Sequence, residues 1–439
     1  MRELPLGWAW ARIEEIAETS SGGTPSRTEA RYFGGDIPWL KSGELRDGPV
    51  GGETEEYLTR AGLESSNARM LDAGTVLVAM YGATTGRLGL LTSPATTNQA
   101  VCAIEAQDGA EPRFLFYLLL HLRRFLLSSR SGGAQPNINQ GLVANLDVPV
   151  PPPQEQRRIV AEIETQFTRL DAAVAVLQRA QVNLKRCRSS ATEAAFASHA
   201  AAPIRFLGDL GEIVGGLTKG QKRRPGTRTR PTPYLRVANV QRGRLDLDNI
   251  KLIEATEEET RALQLMPGDV LLNEGGDRDK LGRGWIWEGQ IAGCIHQNHV
   301  FRVRLNPLLA VPKFVSHYAN HFGQKYFFKE GKQTTNLASI NMTKLRALPI
   351  PSPSVEEQER LVAGLEDRLS MVDNLECSVE ANLRRAASLR HAILKKAFEG
   401  KLVPQDPNDE PASVLLERIR AARAHTPAPR IPRKREART

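Results

Sequence analysis

The chain contains the same sequence unit twice. When the sequence is shifted by 202 positions, residues 138–197 align with residues 340–399 without a gap. Two copies about 200 residues apart are far longer than solenoid repeats, whose period is about 20 to 50 residues. The pattern therefore predicts duplication of a whole domain together with a helix that follows it. Identical pairs include Ile138 and Ile340, Asn139 and Asn341, Leu146 and Leu348, Pro149 and Pro351, Glu155 and Glu357, Gln156 and Gln358, Arg158 and Arg360, Glu164 and Glu366, and Asp171 and Asp373.

Each copy continues into a long segment with almost no Gly or Pro. A Pro-rich step at 148–153 or 349–353 ends the preceding domain, because proline cannot continue a helix. Residues 154–200 and 354–399 are then predicted as helices of roughly 65–70 Å at about 1.5 Å per residue. Apolar residues recur along them at three- and four-residue spacing: Ile159, Ile163, Phe167, Leu170, Val174, Leu177 and Leu184 in the first, and Leu361, Leu365, Leu369, Val372, Val379, Leu383, Leu389 and Ile393 in the second.

So narrow an apolar stripe is typical of a helix that packs against another helix. The two matched stripes favour mutual pairing, and the globular domain between them favours an antiparallel coiled coil. The alternative is two independent helices, each packed on its own domain.

The remaining sequence predicts a mixed α/β (α+β) fold class, with two globular domains separated by the helices. Strand-like runs occur at 75–80, 99–104, 269–272 and 299–303, and helical patches at 112–127 and 312–328. The predicted domains are 1–150 and 203–350, the predicted helical regions are 151–202 and 351–402, and residues 403–439 are predicted to be a basic, disordered tail.

The net charge of +9 is concentrated at one end of the chain. Residues 418–439 contain eight Lys/Arg and one Glu, so the other 417 residues share only about +2. No apolar run is long enough for a transmembrane helix, and the N-terminus does not resemble a signal peptide. The cysteines at 102, 187, 294 and 377 lie too far apart to suggest a disulfide framework or a zinc site. We expect a cytoplasmic protein.

The sequence contains no recognisable catalytic motif. A phosphate-binding loop, a dinucleotide fingerprint, HExxH and GxSxG are all absent from it. Cys294, His296 and His299 are close in sequence, but on a strand the last of them faces away from the other two, so polar strand packing is the better interpretation than a metal site. The acidic residues Asp269, Glu274, Asp277 and Asp279 are interpreted as a solvated loop rather than a nuclease centre. We therefore expect a chain that is not an enzyme and binds no cofactor of its own.

Gly-rich loops with polar and cationic side chains instead favour DNA binding. Such side chains donate hydrogen bonds to phosphates and to base edges. Each single loop could equally be a solvated turn, and Trp39, Trp285 and Trp287 are better explained as core residues than as stacking platforms. The DNA-binding candidates are Thr24, Arg27, Lys41, Arg87, Asn98, Gln99 and Gln135 in the first domain, and Lys219, Lys222, Arg223, Arg224, Arg236, Asn239, Arg278, Lys280 and Arg283 in the second.

The order of these motifs resembles a known family. GGTP, IPWLKSGEL, GATTGRLG, TNQAV, GGAQPNIN and PVPPPQEQRRIV resemble the first target-recognition domain and central conserved region of a type I restriction-modification specificity subunit. PYLRVANV, QNHVFRV and PSVEEQERLV resemble the second recognition domain and distal conserved region, and the resemblance extends to about residue 402. The second domain departs more from the pattern, with GGLTKGQ and GGDRDKLG in place of GGTP and GATTGRLG.

The resemblance implies a subunit that is not catalytic and recognises a bipartite, asymmetric stretch of double-stranded DNA. It implies that the paired helices fix the gap between half-sites and dock two modification subunits, which methylate adenine with S-adenosylmethionine. Restriction subunits would add ATP-driven translocation and Mg²⁺-dependent cleavage. Two alternatives stay open: a coiled-coil scaffold that binds no DNA, and the specificity unit of another methyltransferase or nuclease system.

Overall fold

The computed structural model describes residues 3–128, 137–276, 281–330, 332–333 and 338–425. The chain divides into two compact units. The first unit comprises Met1–Val176 and Asn382–Thr439, and the second comprises Leu177–Ala381. Both divisions fall inside the long helices, so the predicted domain limits, which treat each helix as a separate region, stay predictions.

The first unit is built on a five-stranded sheet. Its strand order is β2-β9-β6-β7-β4; β5-β3-β8 form a second sheet, and β1 and β10 form an antiparallel ribbon. The predicted strands at 75–80 and 99–104 are confirmed as β6 and β9, and β6 is buried at all four positions. The elements are β1 Ala9–Arg12, α1 Ile13–Ile16, β2 Ala17–Ser21, β3 Phe33–Leu40, β4 Gly48–Val50, β5 Glu56–Leu58, α2 Arg60–Glu64, β6 Val76–Ala79, β7 Leu88–Leu91, β8 Thr96–Thr97, β9 Val101–Ala106, α3 Pro112–Ser128, α4 Gln140–Ala144 and β10 Asp147–Val150.

A long helix follows, α5 Pro153–Ala197. The second unit then repeats the plan with a four-stranded sheet of order β12-β21-β17-β19, a sheet β16-β13-β20 and a ribbon β11-β24. Its elements are β11 Ile204–Phe206, α6 Leu207–Leu210, β12 Gly211–Gly215, β13 Arg230–Leu235, β14 Val240–Gln241, β15 Arg244–Leu245, β16 Lys251–Ala255, α7 Glu257–Leu263, β17 Val270–Asn273, β18 Gly275–Gly276, β19 Gly284–Ile286, β20 Ile295–His296, β21 Val300–Leu305, α8 Pro312–His321, α9 Gly323–Glu330, β22 Lys332–Gln333, β23 Ala338–Ser339, α10 Met342–Arg346 and β24 Pro349–Pro351.

The mixed α/β fold class is confirmed in both units. The predicted strands at 269–272 and 299–303 are β17 and β21. The helical patch predicted at 312–328 is two helices, because α8 ends at His321, with Phe322 as its C-cap, and Gly323 begins α9. Among the described residues, no helix is both long enough and apolar enough to span a membrane.

The second long helix is α11 Val355–Phe398, and the two long helices pack together as predicted. Among the side chains of α11 that are at most 9% exposed, five recur at seven-residue intervals: Leu365, Val372, Val379, Ala386 and Ile393. A seven-residue period is the mark of a coiled-coil seam. Leu389 lies outside this seam and is 44% exposed, whereas the adjacent Arg390 forms an ion pair with Asp171 of α5.

Ion pairs between the long helices occur in each unit and share one register. In the first unit Arg390 contacts Asp171 and lies 4.6 Å from the ring centre of Phe167. In the second unit Arg188 contacts Asp373. The shift of 202 positions converts Asp171 into Asp373 and Arg188 into Arg390, so these are two copies of one antiparallel contact.

The start of α5 also packs on the domain that precedes it. Ile159 and Ile163 are fully buried in the same core cluster as Phe114 of α3. The alternative in which each helix packs on its own domain therefore describes these first turns, while the later positions pair with the other helix.

The tail predicted to be disordered is in fact ordered from residue 403 to 425. Residues Ala412–His425 form a helix, α12, whose Leu415, Leu416 and Ile419 are at most 4% exposed in the core of the first unit. These apolar residues follow helical spacing, which the basic composition of the region obscured. Residues 426–439 lie outside the described residues.

Candidate nucleic-acid interface

Two candidate cations of the first unit share one carboxylate. Strand β3 pairs with β5 so that Trp39 lies opposite Glu56, and Lys41 directly follows β3. Arg27 donates from Nη1 and Nη2 to the two oxygens of Glu56 at 2.5 and 3.3 Å, and Lys41 Nζ lies 3.0 Å from the same carboxylate. Lys41 also pairs with Glu55 at 2.8 Å.

The charges in this cluster stabilise one another. Hydrogen bonds to Glu55 and Glu56 raise the pKa of Lys41, and the hydrogen bond from Arg27 lowers the pKa of Glu56. Both shifts favour the charged forms of Lys41 and Glu56 at neutral pH. The guanidinium of Arg27 lies 4.7 Å from the ring centre of Phe33 and 5.0 Å from that of Trp39, so two aromatic rings also hold it in place.

A tight glycine turn brings the next candidates beside this cluster. A Cβ on Gly23 would lie 2.2 Å from the backbone nitrogen of Ala68, so no larger residue fits there. Trp39 is buried, as predicted, and donates from Nε1 to the carbonyl of Gly23 at 3.0 Å. Thr24 follows and donates to the side-chain carbonyl of Gln99.

The other first-unit candidates have different surroundings. Asn98 uses its side-chain oxygen to accept from the amide of Ala100 at 3.2 Å, which shapes its own turn. Arg87 is exposed and lies 3.9 Å from Asp47, whose carboxylate also holds Arg123. Gln135 lies outside the described residues. The acidic partners Asp47, Glu55 and Glu56 were not among the sequence candidates, since only the folded strands bring them to the cations.

The cationic loop of the second unit is held at one point. Arg223 donates to Glu259 at 2.7 Å and to the carbonyl of Glu254 at 2.8 Å. Within the described part of the chain, the side chains of Lys219, Lys222 and Arg224 are exposed and make no hydrogen bond or ion pair. These three cations are thus open to an anionic ligand.

Asn239, predicted to contact DNA, holds a loop together instead. Its side chain is 3% exposed and donates to the carbonyls of Asp246 and Asn249 at 2.9 and 3.3 Å, while accepting from the amide of Arg236 at 3.0 Å. With both ends of its amide engaged and no exposed surface, it is not available to a base. Arg236 itself donates to the carbonyl of Asn249 at 2.8 Å.

One of the three remaining second-unit candidates lies within the described residues. Arg283 is half-buried and donates to the carbonyl of Val237 at 3.3 Å. Arg278 and Lys280 lie outside the described residues. Trp287 is buried, whereas Trp285 is half-buried beside His317, 5.2 Å between ring centres.

Cys294, His296 and His299 are in separate environments. Burial raises the pKa of Cys294 to about 12 and lowers that of His296 to about 4. His296 donates from Nδ1 to the carbonyl of Val300 at 2.6 Å, and His299 instead contacts Glu274 at 2.6 Å. In the ranges that the structure describes, no group of three His, Cys, Asp or Glu residues is placed to hold a metal ion.

The chain is similar along nearly its whole length to curated proteins of one kind. The family model described as "Type I restriction modification DNA specificity domain" matches residues 5–175. The StySPI type I restriction enzyme specificity subunit of Salmonella potsdam is 24% identical over 464 residues, covering 99% of each chain. The EcoKI type I restriction enzyme specificity subunit of Escherichia coli K12 is 24% identical over 466 residues, again covering 99% of each.

Two solved structures share the fold. The first comes from a study of complex assembly and conformational transition of the type I R-M system. It has a TM-score of 0.71 and 22% identity, and the match covers 91% of this chain and all of the other. The HsdS subunit of Thermoanaerobacter tengcongensis has a TM-score of 0.56 and 22% identity, covering 91% of this chain and 98% of its own. The two-unit α/β plan with paired long helices is thus a known architecture.

Proposed function

This chain belongs to the family of type I restriction-modification DNA specificity subunits, and we propose that each of its units recognises one half of a bipartite, asymmetric DNA target. The chain is the non-catalytic component of such a system. Side chains that donate to base edges would read the DNA sequence. Cations that contact phosphates would fix the position of the protein along the DNA.

The observation that carries this proposal is that the scaffold repeats while the loops do not. The helix pairing, the ribbons β1–β10 and β11–β24 and the Pro-rich steps occur in both units. The cations differ: Arg27 and Lys41 share a carboxylate in the first unit, whereas the loop containing Lys219 and Lys222 has its cations exposed in the second. Unlike loops on like scaffolds support recognition of two unlike half-sites.

The repeated scaffold also supports two identical partners. In this proposal two modification subunits bind the chain and methylate adenine with S-adenosylmethionine, and restriction subunits join through them with ATP and Mg²⁺. These cofactors belong to the partners, and this chain supplies the DNA specificity.

The decisive experiment is single-molecule methylome sequencing of cells that express this chain with its neighbouring methyltransferase. We expect N6-methyladenine to appear in one bipartite, asymmetric motif. Cells with the methyltransferase alone are the control. A soluble, assembled complex that yields no motif would contradict DNA recognition and favour the coiled-coil scaffold.

The long helices provide a second test, since we propose that they set the spacing of the half-sites. Deleting residues 174–180 and 381–387 removes one seven-residue period from each helix between its two ion-pairing residues. About 10 Å of helix is lost, so the preferred spacer should shorten by about 3 base pairs with both half-sites unchanged. Deleting four residues from each instead breaks the seven-residue period and should abolish recognition. An unaltered spacer after the seven-residue deletion would refute the role of the helices.

A further inference from the structure

The repeated Glu-Gln-x-Arg motif at the start of each long helix is only partly explained by the fold. Gln156 accepts from the amide of Glu111 at 2.9 Å and donates to the carbonyl of Pro151 at 2.9 Å. Gln358 makes the same two bonds, with Val311 and Pro353, both at 2.9 Å. The glutamine therefore has one role in both copies, namely to fix the helix start to the domain.

The arginine of the motif has a partner in only one copy. In the first unit Arg158 donates to both carboxylate oxygens of Asp409 at 3.3 and 2.5 Å, and the Asp409 side chain is 8% exposed. Arg360, its counterpart, is exposed, and in the described ranges its side chain makes no ion pair or hydrogen bond.

The partner of Arg158 is part of a segment that covers one face of the first unit. We call residues 403–425 the C-terminal segment. Beyond Asp409, the amide of Ala412 donates to the carbonyl of Gly7 at 2.8 Å, and α12 buries its apolar side chains. Arg420 then pairs with Glu15 at 2.7 Å. The segment thus presents an acid, an apolar helix face and a base, in that order.

The second unit has a corresponding face, and none of the described residues forms a similar segment on it. Helices α1 and α6 correspond, because the amides of Ile13 and Leu207 donate to the matching carbonyls of Leu146 and Leu348 at 3.1 and 3.0 Å. Glu15 therefore corresponds to Asp209, which is exposed and makes no side-chain hydrogen bond or ion pair within the described residues.

The apolar part of the corresponding face is exposed as well. In the first unit Leu415 contacts Gly109, three residues before the proline that begins α3. The same position before α8 is Leu309, which is half-buried against the core of the second unit, while the adjacent Leu308 is 82% exposed. The second unit therefore presents a cation, an exposed apolar residue and an acid where the first unit binds its C-terminal segment.

We propose that this face of the second unit, marked by Arg360, Leu308 and Asp209, binds a segment of a partner protein. The charge order requires an acidic residue followed by an amphipathic helix and then a basic residue, as in the C-terminal segment itself. A second copy of this chain is the weaker occupant, because its own segment is already buried and its release would expose Leu415, Leu416 and Ile419 to water.

The probe is a fluorescent synthetic peptide with the sequence of residues 403–425, titrated into the full-length chain without DNA. We expect saturable binding to one site, weakened at least tenfold by Arg360→Glu. A peptide carrying Asp409→Lys should bind the wild-type chain poorly and regain affinity for the Arg360→Glu chain. Arg261→Glu, an equal charge change on α7 of the same unit, should leave binding unchanged.

Three outcomes would overturn the proposal. The first is the absence of saturable binding. The second is binding that Arg158→Glu strengthens while Arg360→Glu leaves it unaltered, which would place the peptide on the first unit by exchange with the resident segment. The third is self-association of the full-length chain, measured by sedimentation, that Arg360→Glu abolishes, since a second copy would then be the occupant. None of these outcomes depends on DNA recognition, so the proposed function is tested separately.

Discussion

The two units hold their candidate DNA-binding cations in different ways. In the first, Glu56 fixes both Arg27 and Lys41, and aromatic rings also hold Arg27, so their donors have defined directions. In the second, the exposed cations of the 219–224 loop have no side-chain partner within the described residues. Donors of fixed direction suit recognition of base edges, while unpaired cations suit phosphate attraction, which is independent of sequence. We propose that one scaffold supports both modes.

The units also differ in what completes them. The first unit includes the C-terminal segment, which adds buried apolar residues and the Arg158–Asp409 pair. In the part of the chain that the structure describes, the second unit has no such addition, and it contains the buried His296. Each difference can be tested separately.

The largest expected effect is on the unfolding free energy of the first unit, which the C-terminal segment helps to stabilise. Leu416→Ala removes a side chain that is 4% exposed and should cost the first unit about 2–5 kcal/mol of unfolding free energy. Leu389→Ala, at a site 44% exposed, is the matched control and should cost far less. Hydrogen exchange measures the two units separately. Equal loss of protection in both units would show that they unfold as one.

The next effect is a loss of stability in acid that should belong to the second unit. Burial lowers the pKa of His296 to about 4, whereas unfolded histidine titrates near 6.5. Between these pH values only the unfolded chain takes up the proton. The contribution of His296 to the free energy of unfolding is therefore complete above pH 6.5. This contribution should fall by about 3 kcal/mol as the pH falls to 4.

Denaturant melts across this pH range measure the effect. His296→Asn keeps a donor for the carbonyl of Val300 but cannot titrate, so it should flatten the pH dependence of the second unit. An unchanged slope would mean that another group titrates there.

The fixed cations of the first unit should determine base specificity. Arg27→Ala should weaken binding to the first half-site by about 1–3 kcal/mol and leave the second half-site unaffected. Arg27→Lys keeps the charge but loses the planar guanidinium. If the lysine variant binds like wild type, Arg27 acts by charge alone and the contrast between the units is removed.

The smallest effect on specificity is expected from the exposed loop of the second unit. Replacing Lys219, Lys222 and Arg224 together with Ala should reduce affinity for every DNA sequence alike. The slope of log K against log salt should become shallower by about 2.7 if all three contact phosphates. Fluorescence anisotropy on specific and random duplexes at several salt concentrations measures it. A loss confined to the specific duplex would assign base contacts to this loop.

The scaffold could be predicted from the sequence because it is repeated and periodic. The helical spacing of apolar residues located α5 and α11 to within a few residues of their ends. The pairing of Arg27 with Glu56 could not be predicted, since it depends on the register of β3 against β5. Asn239 was predicted from residue type alone, and its burial follows from the loop fold. For α12, the Leu415, Leu416 and Ile419 spacing was a usable signal that the local charge obscured.

The division of the first unit between the two ends of the chain has a consequence for synthesis on the ribosome. Domains generally fold as they emerge, N-terminal first. Here the N-terminal part of the first unit must wait for the part that begins at Asn382, because Ile393, Phe398 and Leu415 fill the same core. The second unit, Leu177–Ala381, is continuous and can fold before the first is complete. The second unit therefore finishes folding first, although the first unit begins to be translated first. A message truncated near its 3′ end would yield a chain in which only the second unit is folded.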